Sequence, residues 1–340
     1  MLDLIKRLCE VNGISGREDK VRELIIKEVE PFADEITVDP LGNLCVFKKG
    51  VSRAKNRVML DAHMDEVGFI ITSVTSDGNL RFECVGGISS AVMLGRHVFV
   101  GENKIPGVIG VTPVHLLATD KKTQFPDKSS LVIDIGASSA DEAKKIVSVG
   151  DYACFDSEFC LFGDGYIKSK ALDDRAGCAI LIDMIKKEQP YDLYYCFSVG
   201  EETGLGMAGT AVDFIKPDYA IVAETTTAAD LAGVDPSKTV CALGGGAVVS
   251  FMDRRTVYSK QLYDRAFEIA NQKNIKIQTK SIVAGGNNAG VIHKTAGGVK
   301  TIAVSLACRY LHSPSCVIKA DDIYHSQRLI EALAEDFAND

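Results

Sequence analysis

A helix-flanked α/β sheet, mixed but largely parallel, with a mostly β domain inserted into it is the fold class this sequence predicts, on three observations. After Lys168, apolar strand-like runs alternate with helical patterns, the signature of a sheet covered by helices. Ahead of Val67 stand two helical patterns and one buried strand that belong to the same scheme. Between about Val67 and Gly163 the text changes to short β-branched runs broken by turns such as Ser76-Asp77-Gly78-Asn79 and Gly101-Glu102-Asn103.

Taken in order, residues 2–11 form a helical pattern stopped by Gly13. Residues 17–29 form a second, with Val21, Leu24, Ile25 and Val29 at helical spacing. A β-like pair follows. The run Val58-Met59-Leu60 continues into Asp61-Ala62-His63-Met64-Asp65 and reads as a buried strand whose C-terminal end carries polar groups. Inside the insertion only 140–147 looks helical. Beyond it we expect helix 171–187, strand 193–199, helix 205–215, strand 219–224, helix 260–272, strands 275–282 and 300–306, and a last helix over 321–337. The expected division is 1–66 with 165–340 as one discontinuous catalytic domain and 67–164 as the inserted β domain. Ligands of such open sheets gather beyond the strand C-termini.

The 340 residues are 46% hydrophobic and 25% charged, an ordinary globular composition. The chain carries 38 Lys plus Arg against 46 Asp plus Glu, a net charge of -8, and no basic run, so nucleic acid is not an expected partner. The early residues lack a signal-like apolar stretch and no segment approaches the ~20 apolar residues of a membrane span; a cytoplasmic protein with no membrane partner is expected. Ten cysteines stand singly with no C-x-x-C pair, and read as reduced core thiols.

The chemistry is carried by short acidic and histidine-bearing stretches that follow apolar runs: His63-x-Asp65, Asp173-Asp174, Glu201-Glu202, Glu224, and a late His312 beside Ser313-Pro314. Carboxylates gathered next to a core are tolerable only when cations neutralise them. Two imidazoles with several carboxylates and no thiolate suit a catalytic zinc, cobalt or manganese centre. The count supports two divalent ions. If Asp173 bridges, one ion takes His63, Asp173 and Glu224 and the other takes Asp173, Glu202 and His312, with metal-bound hydroxide as nucleophile toward an amide carbonyl. Glu201 is then the unligated carboxylate available as general base. Asp65, two positions from His63, can accept the imidazole proton and orient that ligand. Adjacent strand residues point to opposite faces, so Glu201 and Glu202 share a site only if the chain turns, which Gly200, Gly204 and Gly206 permit.

In these residues the chain resembles the TET-type dinuclear metallo-aminopeptidases, the family of glutamyl and deblocking aminopeptidases, along nearly its whole length. The resemblance is carried by DAHMDEVGF (61–69), GGISSAVMLGRHV (86–98), KALDDRAG (170–177), GEETGLGMAGT (200–210), AETTTAAD (223–230), GGNNAG (285–290) and RYLHSP (309–314). It implies a zinc-peptidase-like fold and the release of N-terminal residues from peptides with a free N-terminus. It implies metal ligands His63, Asp173, Glu202, Glu224 and His312, with Glu201 as general base and Asp65 behind His63, and zinc as the first choice of metal. It implies further a cis peptide between Asp173 and Asp174, a β insertion that dimerises, and dimers that build a tetrahedral dodecamer. Two departures stand out. Glu224 replaces the Asp of many relatives, and Asn288 stands where the family usually has Asp, which removes a charge near the expected substrate side.

Other readings compete. Gly204-Leu205-Gly206-Met207-Ala208-Gly209 fits G-x-G-x-x-G with Glu224 20 residues after Gly204, the pattern of a dinucleotide-binding oxidoreductase. The Glu201-Glu202 pair at that strand end would repel a pyrophosphate, and the reading leaves His63, Asp65, Asp173 and His312 without a role. A metal-free structural shell is a second alternative. A related two-metal hydrolase acting as N-acyl deacylase, carboxypeptidase or glycan hydrolase is a third. His97, His115, His293 and His325 read as structural or surface residues, and Gly244-Gly245-Gly246 as close backbone approach near the cleft, with a phosphate loop as the alternative.

Overall fold

The structure, a computed structural model, describes residues 1–116, 124–204 and 206–340. Helices α1 (Leu2–Glu10) and α2 (Asp19–Val29) lead into strands β1 (Glu35–Val38), β2 (Leu44–Lys48) and β3 (Val58–His63). The insertion holds β4 (Gly68–Val74), β5 (Leu80–Val85), α3 (Ser90–Met93), β6 (His97–Val100), β7 (Ile105–Gly110), β8 (Val132–Asp134), α4 (Ala140–Ala143) and β9 (Tyr152–Phe155). Then come β10 (Cys160–Phe162), β11 (Tyr166–Ser169), α5 (Leu172–Ile185), β12 (Leu193–Ser198), α6 (Ala208–Ile215), β13 (Tyr219–Thr227) and β14 (Ala247–Ser250). The chain ends with α7 (Lys260–Gln272), β15 (Ile277–Lys280), α8 (Ala289–Ile292), β16 (Lys300–Cys308), β17 (Cys316–Lys319) and α9 (Ala320–Asn339).

Eight strands form one sheet in the order β1-β2-β12-β3-β13-β16-β14-β15. Its centre, β12-β3-β13-β16, is parallel, β14 and β15 are parallel, and the remaining neighbours are antiparallel. The strand period of two assigns its residues to two cores. Val58, Leu60 and Ala62 face α1, α2, α5, α7 and α9, while Met59 faces α6 and α8. With both faces covered, β3 is buried throughout, which is why it reads as an unbroken apolar run ending in polar groups.

Strands β4 to β9 close into a small barrel with its own core, centred on Phe69, Phe82 and Phe155, whose rings meet edge to face. Strands β10, β11 and β17 make a separate three-stranded sheet. The hairpin β10–β11 therefore straddles residue 164 and ties the exit from the barrel to the chain that precedes α9.

Most expected elements are present, with shifted ends. The helix expected over 140–147 stops at Ala143, and the chain continues in turns into Val147-Ser148-Val149-Gly150, a sequence with little helical preference. Leu205, the expected first residue of the helix ending at Ile215, lies outside the described residues; the observed helix begins at Ala208. Strand β13 runs three residues past Glu224, and β16 two past Leu306. The short strands β14 and β17 went unanticipated. The triglycine stretch makes the expected close approach, a Cβ on Gly246 lying 2.2 Å from the Lys276 carbonyl oxygen, but none of its three glycines lines the carboxylate pocket. Its amides do not await a phosphate, because Gly244 and Gly246 donate to the buried Asp322 carboxylate at 2.7 and 2.8 Å.

A buried charge cluster joins the N-terminal segment to the start of α5. Lys170 donates to both Glu66 oxygens at 2.7 and 2.8 Å, Gly13 donates to Oε1 at 3.1 Å, and an Arg175 nitrogen lies 3.6 Å away. Arg175, fully buried, also donates to the carbonyls of Leu8, Val11 and Gly13. Glu66→Ala is expected to cost about 3–5 kcal/mol, because it leaves two buried cations without their counter-charge. A urea midpoint within experimental error of wild type would show that the cluster contributes no such stability.

Candidate active site

The functional side chains converge where β3 and β12 end and α5 begins, beside Glu224 within β13. His63 is the last residue of β3 and only 2% exposed. Its Nε2 lies 3.5 Å from Asp173 Oδ1 and 3.5 Å from Glu224 Oε1. His312, on the β16–β17 loop, places Nε2 3.5 Å from Asp173 Oδ2 and 3.2 Å from Glu202 Oε2, and its Nδ1 3.0 Å from the Gly87 carbonyl. Tyr310 and His312 both take left-handed backbone angles, φ 57° and 56°, in the loop that carries this imidazole over the pocket. Asp173 thus offers one oxygen to each imidazole.

Local sequence explains how Asp173 comes to stand there. The Asp173-Asp174 peptide is cis, as the resemblance implies, and both residues have non-helical angles at the head of α5. Asp174 turns inward and accepts from the Gly177 amide at 3.1 Å. A Cβ on Gly177 would lie 2.4 Å from an Asp174 oxygen, so this glycine is required by close approach.

Asp65 does more than the spacing indicated. Its backbone carbonyl lies 3.1 Å and its carboxylate 3.3 Å from His63 Nδ1, and the carboxylate also accepts from the backbone amides of Glu201 at 3.1 Å and Glu202 at 3.0 Å, and from Ser15 Oγ at 2.6 Å. One buried carboxylate therefore positions the first imidazole and the turn carrying both glutamates. That turn follows β12, with Gly200 and Gly204 at φ 68° and 69°, which brings Glu201 and Glu202 into one pocket.

Burial dominates the electrostatics. It pushes Glu201 up to about 7, with the Asp65 and Asp173 charges adding and His63 and Arg255 opposing. It pushes Glu224 up to about 8 and Glu202 well above the usual carboxylate range, each helped by the Asp173 charge. Burial alone would lower His63, but the Glu224 charge and the contacts with Asp173 and Asp65 raise it well above the usual histidine value. Asp173 is held low against the effect of burial by the two imidazoles. A set of carboxylates this crowded accepts full charge only beside cations.

The donors fit a metal site. Ligand atoms of His63, Asp173 and Glu202 lie within 4.8 Å of one another, as do those of His63, Asp174 and Glu224. Asp173 Oδ1 and Asp174 Oδ2 are buried without a hydrogen-bond partner, a costly state unless another group binds there. All five expected ligands, with Glu201 and Asp65, belong to this one place. Glu201, Glu202, Asp173, Glu224 and His312 line a pocket of about 320 Å³.

His97 and His115 are exposed, and neither they nor His293 and His325 line the pocket. Asn288 is not on the substrate side: its amide donates to Asp61 at 2.9 Å and Ser198 at 2.8 Å beneath the strand ends, while Asn287 lines the pocket. All ten cysteines are free; eight are buried, Cys84 is half-buried and Cys160 is exposed. Gly204 lines the carboxylate pocket and Gly209 packs inside α6 against Val291, so the glycine-rich stretch does not open a helix toward a dinucleotide. Sequence reasoning missed Arg255, Lys280 and Thr225 in the pocket lining, since isolated basic and hydroxyl residues carry no spacing signal.

Residues 42–329 match the family described as M42 glutamyl aminopeptidase. A putative aminopeptidase of Acetivibrio thermocellus is 39% identical over 332 residues, covering 97% of each chain. The lysyl aminopeptidase of Pyrococcus furiosus is 31% identical, covering 98% of this chain and 96% of its own. Among solved structures, the TET1 peptidase of Pyrococcus horikoshii, described as assembling into a tetrahedron or a large octahedral shell, superposes with a TM-score of 0.87 at 35% identity over 98% of both chains. The chain belongs to the M42 glutamyl aminopeptidase family and is a metal-dependent aminopeptidase.

Proposed function

We propose that the protein removes N-terminal residues from peptides with a free N-terminus at a site for two divalent ions, zinc as first choice with cobalt or manganese as alternatives. His63, Asp173 and Glu224 would hold one ion and Asp173, Glu202 and His312 the other. The observation that carries this reading is the division of the Asp173 carboxylate, Oδ1 toward His63 and Oδ2 toward His312. Ions bound there would polarise the scissile carbonyl and lower the pKa of water at the site.

The chain's own groups do the rest. Glu201, facing the pocket beside Glu202, would take the proton released as water adds to the carbonyl carbon and pass it to the leaving amine nitrogen. Asp65 acts through others, fixing His63 and the Glu201-Glu202 amides. Burial at the strand ends keeps bulk water from competing for these donors.

We assign residues 1–66 and 165–340 to the catalytic domain and 67–164 to an oligomerisation domain. The barrel region exposes Val108, Leu116, Phe125 and Val149, apolar surface suited to a homo-oligomeric contact; the solved TET1 relatives, described as a dodecamer and as a tetrahedron or octahedral shell, support a homo-oligomer, for which we propose dimers that build a dodecamer. Ten free thiols fit a reducing, cytoplasmic setting.

The test is metal analysis of the purified protein with an assay on aminoacyl-p-nitroanilides before chelation, after it, and after metal restoration. About two ions per chain are expected, with release of p-nitroaniline lost on chelation and regained on restoration. Full activity in metal-free protein would overturn the reading.

A further inference from the structure

The turn that follows β12 is gripped at its amides by side chains. Four consecutive N–H groups donate in this way: Val199 to Asn43 Oδ1 at 3.0 Å, Gly200 to Glu18 Oε1 at 3.1 Å, and Glu201 and Glu202 to the two Asp65 oxygens at 3.1 and 3.0 Å. Asn43 adjoins β2 and Asp65 follows β3, so both belong to chain that the sheet already fixes. Glu18 does not. It stands at the start of α2, 182 positions from Gly200 in sequence, is 5% exposed, and lies outside the pocket lining.

Glu18 reaches that turn because the segment ahead of it is itself pinned. Ile14 bridges to Glu66, the Glu66 amide donates to the Gly13 carbonyl at 3.0 Å, and Ser15 Oγ donates to Asp65. Gly16, at φ 80°, turns the chain so that its amide meets the same Glu18 oxygen at 2.9 Å. One carboxylate oxygen therefore joins two turns, one before α2 and one after β12. Gly200 is where the second turn can swing: its φ of 68° suits glycine, and a Cβ there would lie 2.7 Å from Met207 Sδ. Glu18 grips the amide on the strand side of this glycine, and Asp65 grips the two amides beyond it. The direction in which Glu201 leaves the turn is thus set from two separate parts of the chain.

We infer that Glu18 is a positioning residue of the active site, acting through the Gly200 amide to set the angle at which Glu201 faces the bond to be cut. The inference rests on the reading of Glu201 as the proton carrier. Such a group works only within hydrogen-bond reach of the atoms it serves, so a small rotation at Gly200 that leaves the fold intact still takes its carboxylate out of line. Metal holding is a separate matter, because Glu202 keeps its own amide contact with Asp65 and its neighbour His312. A carboxylate at this place also has an ordinary use, since negative charge beside the first amides of α2 stabilises the helix. The two roles ask different things of the side chain: reach for the first, charge for the second.

The experiment sets Glu18→Asp against Glu18→Gln in the full, metal-loaded chain, measuring kcat and KM on the aminoacyl-p-nitroanilide that wild type cleaves fastest, together with metal content and the thermal midpoint. Aspartate keeps the charge but is one methylene short of Gly200; glutamine keeps the reach and an acceptor oxygen but gives up the charge. Glu18→Asp is expected to lower kcat by about 10- to 100-fold, with KM nearly unchanged and about two ions per chain retained. Glu18→Gln should hold kcat within about threefold of wild type, although its midpoint falls at least as far as that of Glu18→Asp. The order in activity is then the reverse of the order in stability, which loss of folded protein cannot produce. Folded Glu18→Asp with wild-type kcat overturns the inference, as does a loss of kcat that Glu18→Gln shares in full. A Glu18→Asp chain that fails to fold overturns it too, since Glu18 would then serve the fold as a whole. Wild type inert on every anilide, or Glu201→Gln with near-normal turnover, would instead remove the exopeptidase or the base reading, and this inference with it.

Discussion

Glu201→Gln is expected to lower kcat by about 10²–10⁴-fold, the usual contribution of a positioned proton carrier, while the protein keeps about two metal ions per chain. The separation of these outcomes is the point of the experiment. Glu201 and Glu202 are sequence neighbours in one turn, and both backbone amides are held by Asp65. They differ in their side-chain surroundings: Glu202 lies 3.2 Å from His312, whereas Glu201 has no imidazole at ion-pair distance among the described residues and faces the pocket. The amide of glutamine preserves size and polarity but cannot accept and return a proton. KM should change little, since the substitution removes an interaction needed in the transition state rather than in the bound ground state. If Glu201→Gln keeps near-normal turnover, the base lies elsewhere. If it loses metal, Glu201 is a ligand and the division of labour within the pair is reversed.

From their place as a pair at a strand end, these two glutamates take separate roles already in the sequence, Glu202 as ligand and Glu201 as base. What made them legible was the apolar run of β12 ahead of them and the glycines around them, since a strand cannot present neighbours to one side without a turn. The same logic exposed His63 at the end of β3 and Asp173 at the head of α5. Contacts made across the fold were less accessible. Asp65 could be placed behind His63 from its two-residue spacing, but its hold on the Glu201 and Glu202 amides joins residues about 136 apart in sequence and has no local signature. Lys280, Arg255 and Thr225 escaped notice for that reason. The reading of Asn288 shows the converse error. A motif placed it near the substrate, yet the strand period and the start of α8 turn its amide under the sheet to Asp61.

Fold-level reading succeeded where one physical signal dominated. The parallel centre of the sheet is buried on both faces, and its apolar runs are long enough to see. Strands β14 and β17 are each four residues long, too short for periodicity to separate them from loop. The extent of β13 was underestimated because Glu224 was taken as the point where apolar character stops. The structure instead continues the strand through Thr225, Thr226 and Thr227, β-branched residues suited to a pleated surface, and so keeps Glu224 inside a rigid element beside β16.

The second large effect is expected at Asp173. Because each of its oxygens faces a different imidazole, Asp173→Ala should abolish binding at both metal positions together, taking metal content from about two ions per chain to nearly none. His312→Ala should spare the position formed by His63, Asp173 and Glu224 and leave about one. The contrast between these variants tests the bridge itself, since two independent ions would lose metal one at a time whichever ligand was removed. Thermal denaturation supplies a readout apart from activity. A bound ion that prefers the folded chain stabilises it by mass action, so chelation should lower the wild-type midpoint, lower that of His312→Ala by less, and leave Asp173→Ala unmoved. An Asp173→Ala protein that retained even one tightly held ion and its response to chelator would place the metals on separate ligand sets. The divided carboxylate would then be only a contact between two histidines and their common acceptor.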